Sequence, residues 1–279
     1  MTTELERTMG ATIHFLQVGD EAGPAPAPFA LFGVDLSLDG DRRPFGWEEN
    51  LSFNGRIMPG LRSPLTMWLI QAGGLNVVVD TGCTPGRTDA DEALARNSIW
   101  VRHEPGSTVE AQLATVGLEP ADVDVVVNTC CHFDHIGSNM SFPKATFFVQ
   151  RTEFSLGIKP PPWAPYYYRE FAHNLLEVRD RLELPDGDFT VAEGVTVHHL
   201  GGHSPGTQVV VVATEQGRVC LPGDLVPFYK NLELNWPSGV FFNVQDVMAA
   251  FAWMSANTDV VVPHHDWSVL ERYPGGVIS

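Results

Sequence analysis

Apolar residues gather along this chain in short runs of strand length, separated by polar stretches rich in glycine and proline. Ile13 to Val18, Leu65 to Gln71, Asn76 to Asp80, Val123 to Val127, Thr146 to Val149, Thr207 to Ala213 and Val260 to Val262 each read as a strand. Two helices are signalled between them. Ser107-Thr-Val-Glu110 has the spacing of a capping box and predicts a helix to about Val116. Asn243 predicts the cap of a helix running through Met254, with Val247, Phe251 and Met254 on one face. Strands alternating with helices imply an α/β layered domain, and no sequence repeat is evident.

The 279 residues suit one large domain with a substantial core. An N-terminal extension, about residues 1–60, carries Pro24, Pro26, Pro28 and Pro59 and is expected to embrace the domain or to reach the partner subunit of a homodimer. The first ten residues include acidic side chains and lack a long apolar core, so they do not read as a signal peptide. No apolar run approaches the length of a membrane span. Four cysteines at irregular spacing do not suggest a secreted disulfide scaffold, so a cytoplasmic enzyme is expected. The net charge of −17, from 34 acidic and 17 basic residues, would repel a phosphate backbone and disfavours nucleic-acid partners. A small-molecule substrate remains.

Candidate chemistry is densest at Asn128-Thr-Cys-Cys-His-Phe-Asp-His-Ile-Gly137, immediately after an apolar run. His132, Asp134 and His135 offer two imidazoles and a carboxylate, donors that suit zinc, iron or manganese. Taken alone, the stretch also reads as a helix start capped by Asp134. Three further donors repeat the arrangement of a polar group just beyond an apolar run: His203 in Gly-Gly-His-Ser-Pro-Gly, Asp224 in Cys-Leu-Pro-Gly-Asp, and His265 in Pro-His-His-Asp.

In order and spacing these blocks resemble the metallo-β-lactamase superfamily of metal-dependent hydrolases, whose pattern runs His-x-His-x-Asp-His, Gly-His-[Ser/Thr]-Pro-Gly, Gly-Asp and a late His. Asp80-Thr81-Gly82 matches the family's opening turn, and the resemblance covers roughly residues 65 to 270. It implies a four-layer αββα sandwich with the metals between two similar halves. It also implies two divalent ions, with zinc the first guess. Cys130, His132 and His203 would hold one ion, Asp134, His135 and His265 the other, and Asp224 would bridge them. One departure stands out, because Cys130 occupies the place of the first motif His. Either its thiolate is a ligand, adding negative charge and weakening the Lewis acidity of that ion, or one site is depleted.

Within the superfamily the chain looks most like N-acyl homoserine lactonases and other metallo-lactonases. That implies ring opening of a lactone or related ester by a hydroxide bridging the ions. Asp134 would carry the proton to the leaving alkoxide, Tyr229 would hydrogen-bond the tetrahedral intermediate, and Asp80 would orient a ligand histidine. Two aromatic stretches read as pocket walls, with Trp163 and Tyr167 in the first and Phe228 and Trp236 in the second. Two alternatives stay open: a hydrolase of another acyl or cyclic amide substrate, and a metal-poor, non-catalytic binding protein. The latter is motivated by Cys130 and by Thr207, which stands where many relatives carry a further His. His264 competes with His265 for the last ligand position.

Overall fold

A computed structural model describes residues 10–24, 47–53, 56–85, 100–103, 106–162, 167–168 and 171–279. Trp163, placed above in a pocket wall, and much of the N-terminal extension lie outside them.

Two sheets face one another. The first uses β1 (Thr12–Pro24), β2 (Trp47–Phe53), β3 (Arg56–Ala72), β4 (Leu75–Val79), β5 (Trp100–Arg102), β6 (Val125–Val127), β7 (Thr146–Phe148) and β8 (Leu182–Glu183). The second uses β9 (Phe189–Ala192), β10 (Val195–His199), β11 (Gln208–Thr214), β12 (Gly217–Leu221) and β13 (Val260–Val261); β14 (Val277–Ile278) returns to the first. The order is β14-β1-β3-β4-β6-β7-β8 in the first sheet, with β2 on β3 and β5 on β1, and β13-β12-β11-β10-β9 in the second. Strands β4, β6, β7 and β8 run parallel, as do β12 and β13. β1 pairs along β3 from the Thr12–Gln71 register to Pro24–Gly60, so the sheet extends into the stretch read as an extension.

The pleat sorts side chains into layers. Trp68, Ile70, Val77, Val79, Val125 and Val127 of the first sheet pack against Val195, Val197, Val210, Val212, Val219 and Leu221 of the second. The opposite face of the first sheet, with Met67, Leu69, Val78, Val126 and Phe147, is covered by two helices, α1 (Val109–Ala114) and α2 (Phe133–Ile136). Also on that side lie α3 (Arg151–Ile158), through Phe154, and α4 (Phe171–Asn174). Two short helices lie elsewhere: α5 (Tyr229–Glu233) and, after α6 (Val244–Asn257), α7 (Ser268–Arg272). The outer face of the second sheet receives Val247, Ala250, Phe251 and Met254 from α6 (Val244–Asn257). Burying each of the larger side chains there is worth about 1.5–3 kcal/mol. These are the four αββα layers.

All seven expected strands form; β2, β5, β8, β9, β10, β12 and β14 were not expected. In β10 only alternate residues, Val195 and Val197, are buried, and β12 opens on Gly217-Arg218, so neither shows a continuous apolar run. Asn243 caps α6 as expected, accepting from Gln245 N. The first helix begins one residue later than the sequence pattern suggests: Thr108 Oγ1, not Ser107, accepts from Ala111 N at 3.2 Å. Glu110 thereby falls one position short of the reciprocal bond that a capping box needs. The four cysteines are free thiols. Among the described residues no helix is long and apolar enough to cross a membrane.

Candidate metal centre

The donors collect where strand ends from both sheets meet. β4 ends in the turn Asp80-Thr81-Gly82, and β6 runs out into Asn128–His132. α2 then presents Asp134 and His135. His132 is the N-cap of α2 and makes no side-chain cap bond, and Asp134 lies inside the helix, so the capping reading of this stretch fails. Thr81 N donates to His135 O at 2.9 Å and Gly137 N to Gly82 O at 2.7 Å, locking the turn onto the helix. From the second sheet come His203, between β10 and β11, Asp224, in a single helical turn after β12, and His265, after β13. Gly223, at φ 54°, sits so close to Thr129 that a Cβ would overlap that side chain. A residue with φ in this range pressed against a neighbour is a place where glycine is needed.

The ligand rings are held from behind. His135 Nδ1 donates to Asp80 Oδ2 at 2.8 Å, His265 Nδ1 to Pro64 O at 2.9 Å, and His203 Nδ1 to Val240 O at 2.8 Å. Each bond holds the Nδ1 proton and turns Nε2 toward the centre, where its lone pair can serve a cation. Asp80 is wholly buried in a left-handed conformation (φ 58°) and also accepts from Thr129 N and Thr129 Oγ1, both at 2.7 Å. It therefore stands behind His135, as the motif resemblance implies.

In front of these rings two donor groups form. Cys130, His132 and His203 offer ligand atoms all within 4.8 Å of one another, as do Asp134, His135, Asp224 and His265. His132 Nδ1 and His203 Nε2 approach to 2.9 Å. Asp224 spans the groups: Oδ1 lies 2.9 Å from His265 Nε2 and 3.3 Å from His135 Nε2, and Oδ2 lies 3.4 Å from His203 Nε2. His135 Nε2 is buried and has no hydrogen-bond partner. An orphaned imidazole nitrogen aimed at two carboxylates, with soft and hard donors alongside, is what a divalent cation would satisfy. The residues present fit a pair of such ions.

Charge follows the geometry. Burial works to raise the Asp224 pKa, but His135, His265 and His203 outweigh it and hold the carboxyl well below its ordinary value. Burial works to lower the His135 pKa, and Cys130, Asp134, Asp80 and Asp224 together drive it well above the usual imidazole range. His132 is pushed well down, by burial and then by His203. Burial also pushes the Cys130 thiol up, against the pull of His135. A cation is needed to expel that proton, so metal binding there would release one.

His265 faces Asp224, whereas His264 turns away. His264 Nδ1 accepts from Trp68 Nε1 at 3.3 Å and its Nε2 lies 3.6 Å from Asp80 Oδ2, although its ring is also close enough to His135 and His265 to form a third cluster. Tyr229 is placed in the core between the sheets with Arg272 over its ring at 3.6 Å, and its surroundings are Tyr273, Arg272 and Asp266. Among the described residues two phenols stand beside His132: Tyr167, whose ring lies 5.1 Å from that of His132 and whose pKa is raised by burial and by Asp134 and Asp224, and Tyr168, at 5.0 Å. Phe228 is buried at the start of α5, and Trp236 is exposed beyond its end. Glu153, Val240 and Pro64 had no signature in the sequence, since a lone acid in a short helix and two backbone carbonyls carry no motif.

A model of the metallo-β-lactamase superfamily matches residues 62–265, well over half of the chain. The chain belongs to that superfamily. An N-acyl homoserine lactonase of Bacillus thuringiensis is 28% identical over 200 residues, covering 69% of this chain and 77% of that protein. Among solved structures, a probable metal-dependent hydrolase from Staphylococcus aureus superposes with a TM-score of 0.74 at 22% identity, over 92% of this chain and 90% of the other. An N-acyl homoserine lactone hydrolase with N-hexanoyl-L-homoserine bound at its catalytic metal centre superposes at 0.70 with 20% identity, over 95% of this chain and 97% of that one. At these identities the structural matches speak to the fold.

Proposed function

We propose that this protein is a metal-dependent lactonase, opening the ring of a lactone to a hydroxy acid. The observation that carries the reading is Asp224, whose two oxygens are divided between the two donor groups. In this reading Cys130, His132 and His203 hold one ion, Asp134, His135 and His265 the other, and Asp224 is shared. The thiol, imidazole and carboxylate mixture favours zinc. When bound, such a pair supplies Lewis acidity and a nucleophilic water at neutral pH.

The side chains supply the rest. Asp134 Oδ2 lies 3.6 Å from His135 Nε2 and 3.8 Å from His265 Nε2, at the edge of the group, where an oxygen can take a proton from water and pass it to the departing alkoxide. Water oxygen bonds to the acyl carbon, the ring C–O bond breaks, and the alkoxide leaves as an alcohol. Tyr167, whose ring lies 5.1 Å from that of His132, is assigned the role of donating its phenol O–H to the carbonyl oxygen as that oxygen gains charge. A lactone as substrate is supported by the related sequence of the Bacillus thuringiensis N-acyl homoserine lactonase, 28% identical over 200 residues.

The test is hydrolysis of a broad lactone panel by the zinc-loaded chain, with products identified by mass spectrometry and Asp224→Ala as the control. Ring opening that disappears in the variant is expected. Turnover of amides or thioesters with no lactone opened would sink the lactonase reading, and an Asp224→Ala protein with full activity and metal content would sink the shared-carboxylate centre.

A further inference from the structure

Glu153, like Asp80, is a wholly buried acid outside the donor groups. It lies on α3, is fully shielded from solvent, and among the described residues makes no ion pair with Lys, Arg or His. Its charge is met by four hydrogen bonds instead. Oε1 accepts from Cys131 N at 3.1 Å and from Tyr168 Oη at 3.0 Å. Oε2 accepts from Ser204 Oγ at 2.7 Å and from Gly206 N at 3.0 Å. Burying a carboxylate is costly, and four donors aimed at one are what make the burial tolerable.

Those donors come from three segments, each next to a residue of the first donor group. Cys131 lies between Cys130 and His132. The Tyr168 ring stands edge-on to that of His132, with centroids 5.0 Å apart. Ser204 and Gly206 follow His203, and their loop is closed on itself by Ser204 N donating to Thr207 Oγ1 at 2.8 Å. The loop is pressed onto α3 so closely that a Cβ on Gly206 would overlap the backbone and Cβ of Glu153. The second donor group has different supports, Asp80 behind His135 and Pro64 O behind His265.

We propose that Glu153 is a positioning residue for the first ion, holding the Cys130–His132 segment and the His203 loop at the separation a shared cation requires. This rests on the metal-centre reading above. Glutamine cannot replace it. Whichever way the amide is turned, its NH2 group faces one backbone N–H, Cys131 or Gly206, and unlike a hydroxyl a backbone N–H cannot rotate to accept. One of the two segments must move away, and it carries its ligand with it.

The experiment is chelator competition on the zinc-loaded full chain, reading the affinity of each ion separately, for the wild type, Glu153→Gln and Tyr168→Phe. Glu153→Gln is expected to weaken one ion 10–100-fold, the range seen when the support of a ligand is lost, and to leave the other unchanged. Tyr168→Phe removes only a side-chain donor, keeps the packing, and is expected to weaken the same ion several-fold; it carries the test if Glu153→Gln fails to fold. Wild-type affinity for both ions in Glu153→Gln, or in Tyr168→Phe should that variant alone fold, overturns the positioning role. A wild-type chain that takes up only a trace of zinc overturns the metal-centre reading itself.

Discussion

Replacing Asp80 by asparagine tests how a ligand histidine is prepared for metal. The position has φ 58°, which asparagine tolerates nearly as well as aspartate, so the backbone should hold. Thr129 N donates to Oδ1 and cannot reverse, so the amide must keep its oxygen there and place NH2 at the Oδ2 position. There it meets Thr129 Oγ1, which can rotate to accept, and His135 Nδ1, which can accept only by moving its proton to Nε2. The nitrogen facing Asp224 then carries a hydrogen where the lone pair is needed. Loss of this support should weaken the second ion 10–100-fold, about 1.4–2.8 kcal/mol. Folding stability should fall by only about 1–2 kcal/mol, because two of the three hydrogen bonds can be kept. Chelator competition gives the first quantity and urea denaturation of the metal-free chain the second. An Asp80→Asn protein with wild-type affinity for both ions would refute the tautomer argument.

Three further outcomes are expected. Cobalt-substituted wild type should show a thiolate-to-metal charge-transfer band that Cys130→Ser abolishes; a spectrum identical in the two proteins would remove Cys130 from the ligand set. Gly137→Ala should cost at least about 4 kcal/mol in urea denaturation, because its Cβ would overlap the backbone of Cys83 and Thr84, which has no flexible end to yield; a wild-type midpoint would count against this packing. Trp236 and Phe242 are exposed, and Phe242 N donates to His203 O at 3.0 Å. Their double replacement by alanine should change stability by no more than about 0.5 kcal/mol each while raising KM for long-chain lactones more than for short ones. Equal KM changes for both substrates would argue against this loop as an acyl-chain wall.

Much was legible in the chain itself. The apolar runs marked the core strands because a strand buried on both faces must be apolar throughout, as Val77–Val79 and Val125–Val127 are between their two layers. Edge and half-buried strands such as β9 and β10 were not legible, since β9 has only four residues, none fully buried, and β10 is apolar only at Val195 and Val197. The helix through Met254 could be read because its cap and its stripe both lie within a few residues. The donors of the centre could be listed and ordered because each must follow a strand end.

Side-chain direction could not be read from sequence. His264 and His265 are neighbours of the same type, and the choice between them depends on Trp68 and on a carbonyl 201 residues earlier in the chain. Tyr167 and Tyr229 are both tyrosines in aromatic stretches, yet Tyr229 fills the core while Tyr167 stands beside His132. Glu153 has no local mark at all, because what gives it meaning is the meeting of three segments. Sequence determined which atoms were on hand and which strands would bring them near one another. Only tertiary packing decided which lone pairs converge, because that depends on partners distant in the chain that fix each ring and each carboxylate in one orientation.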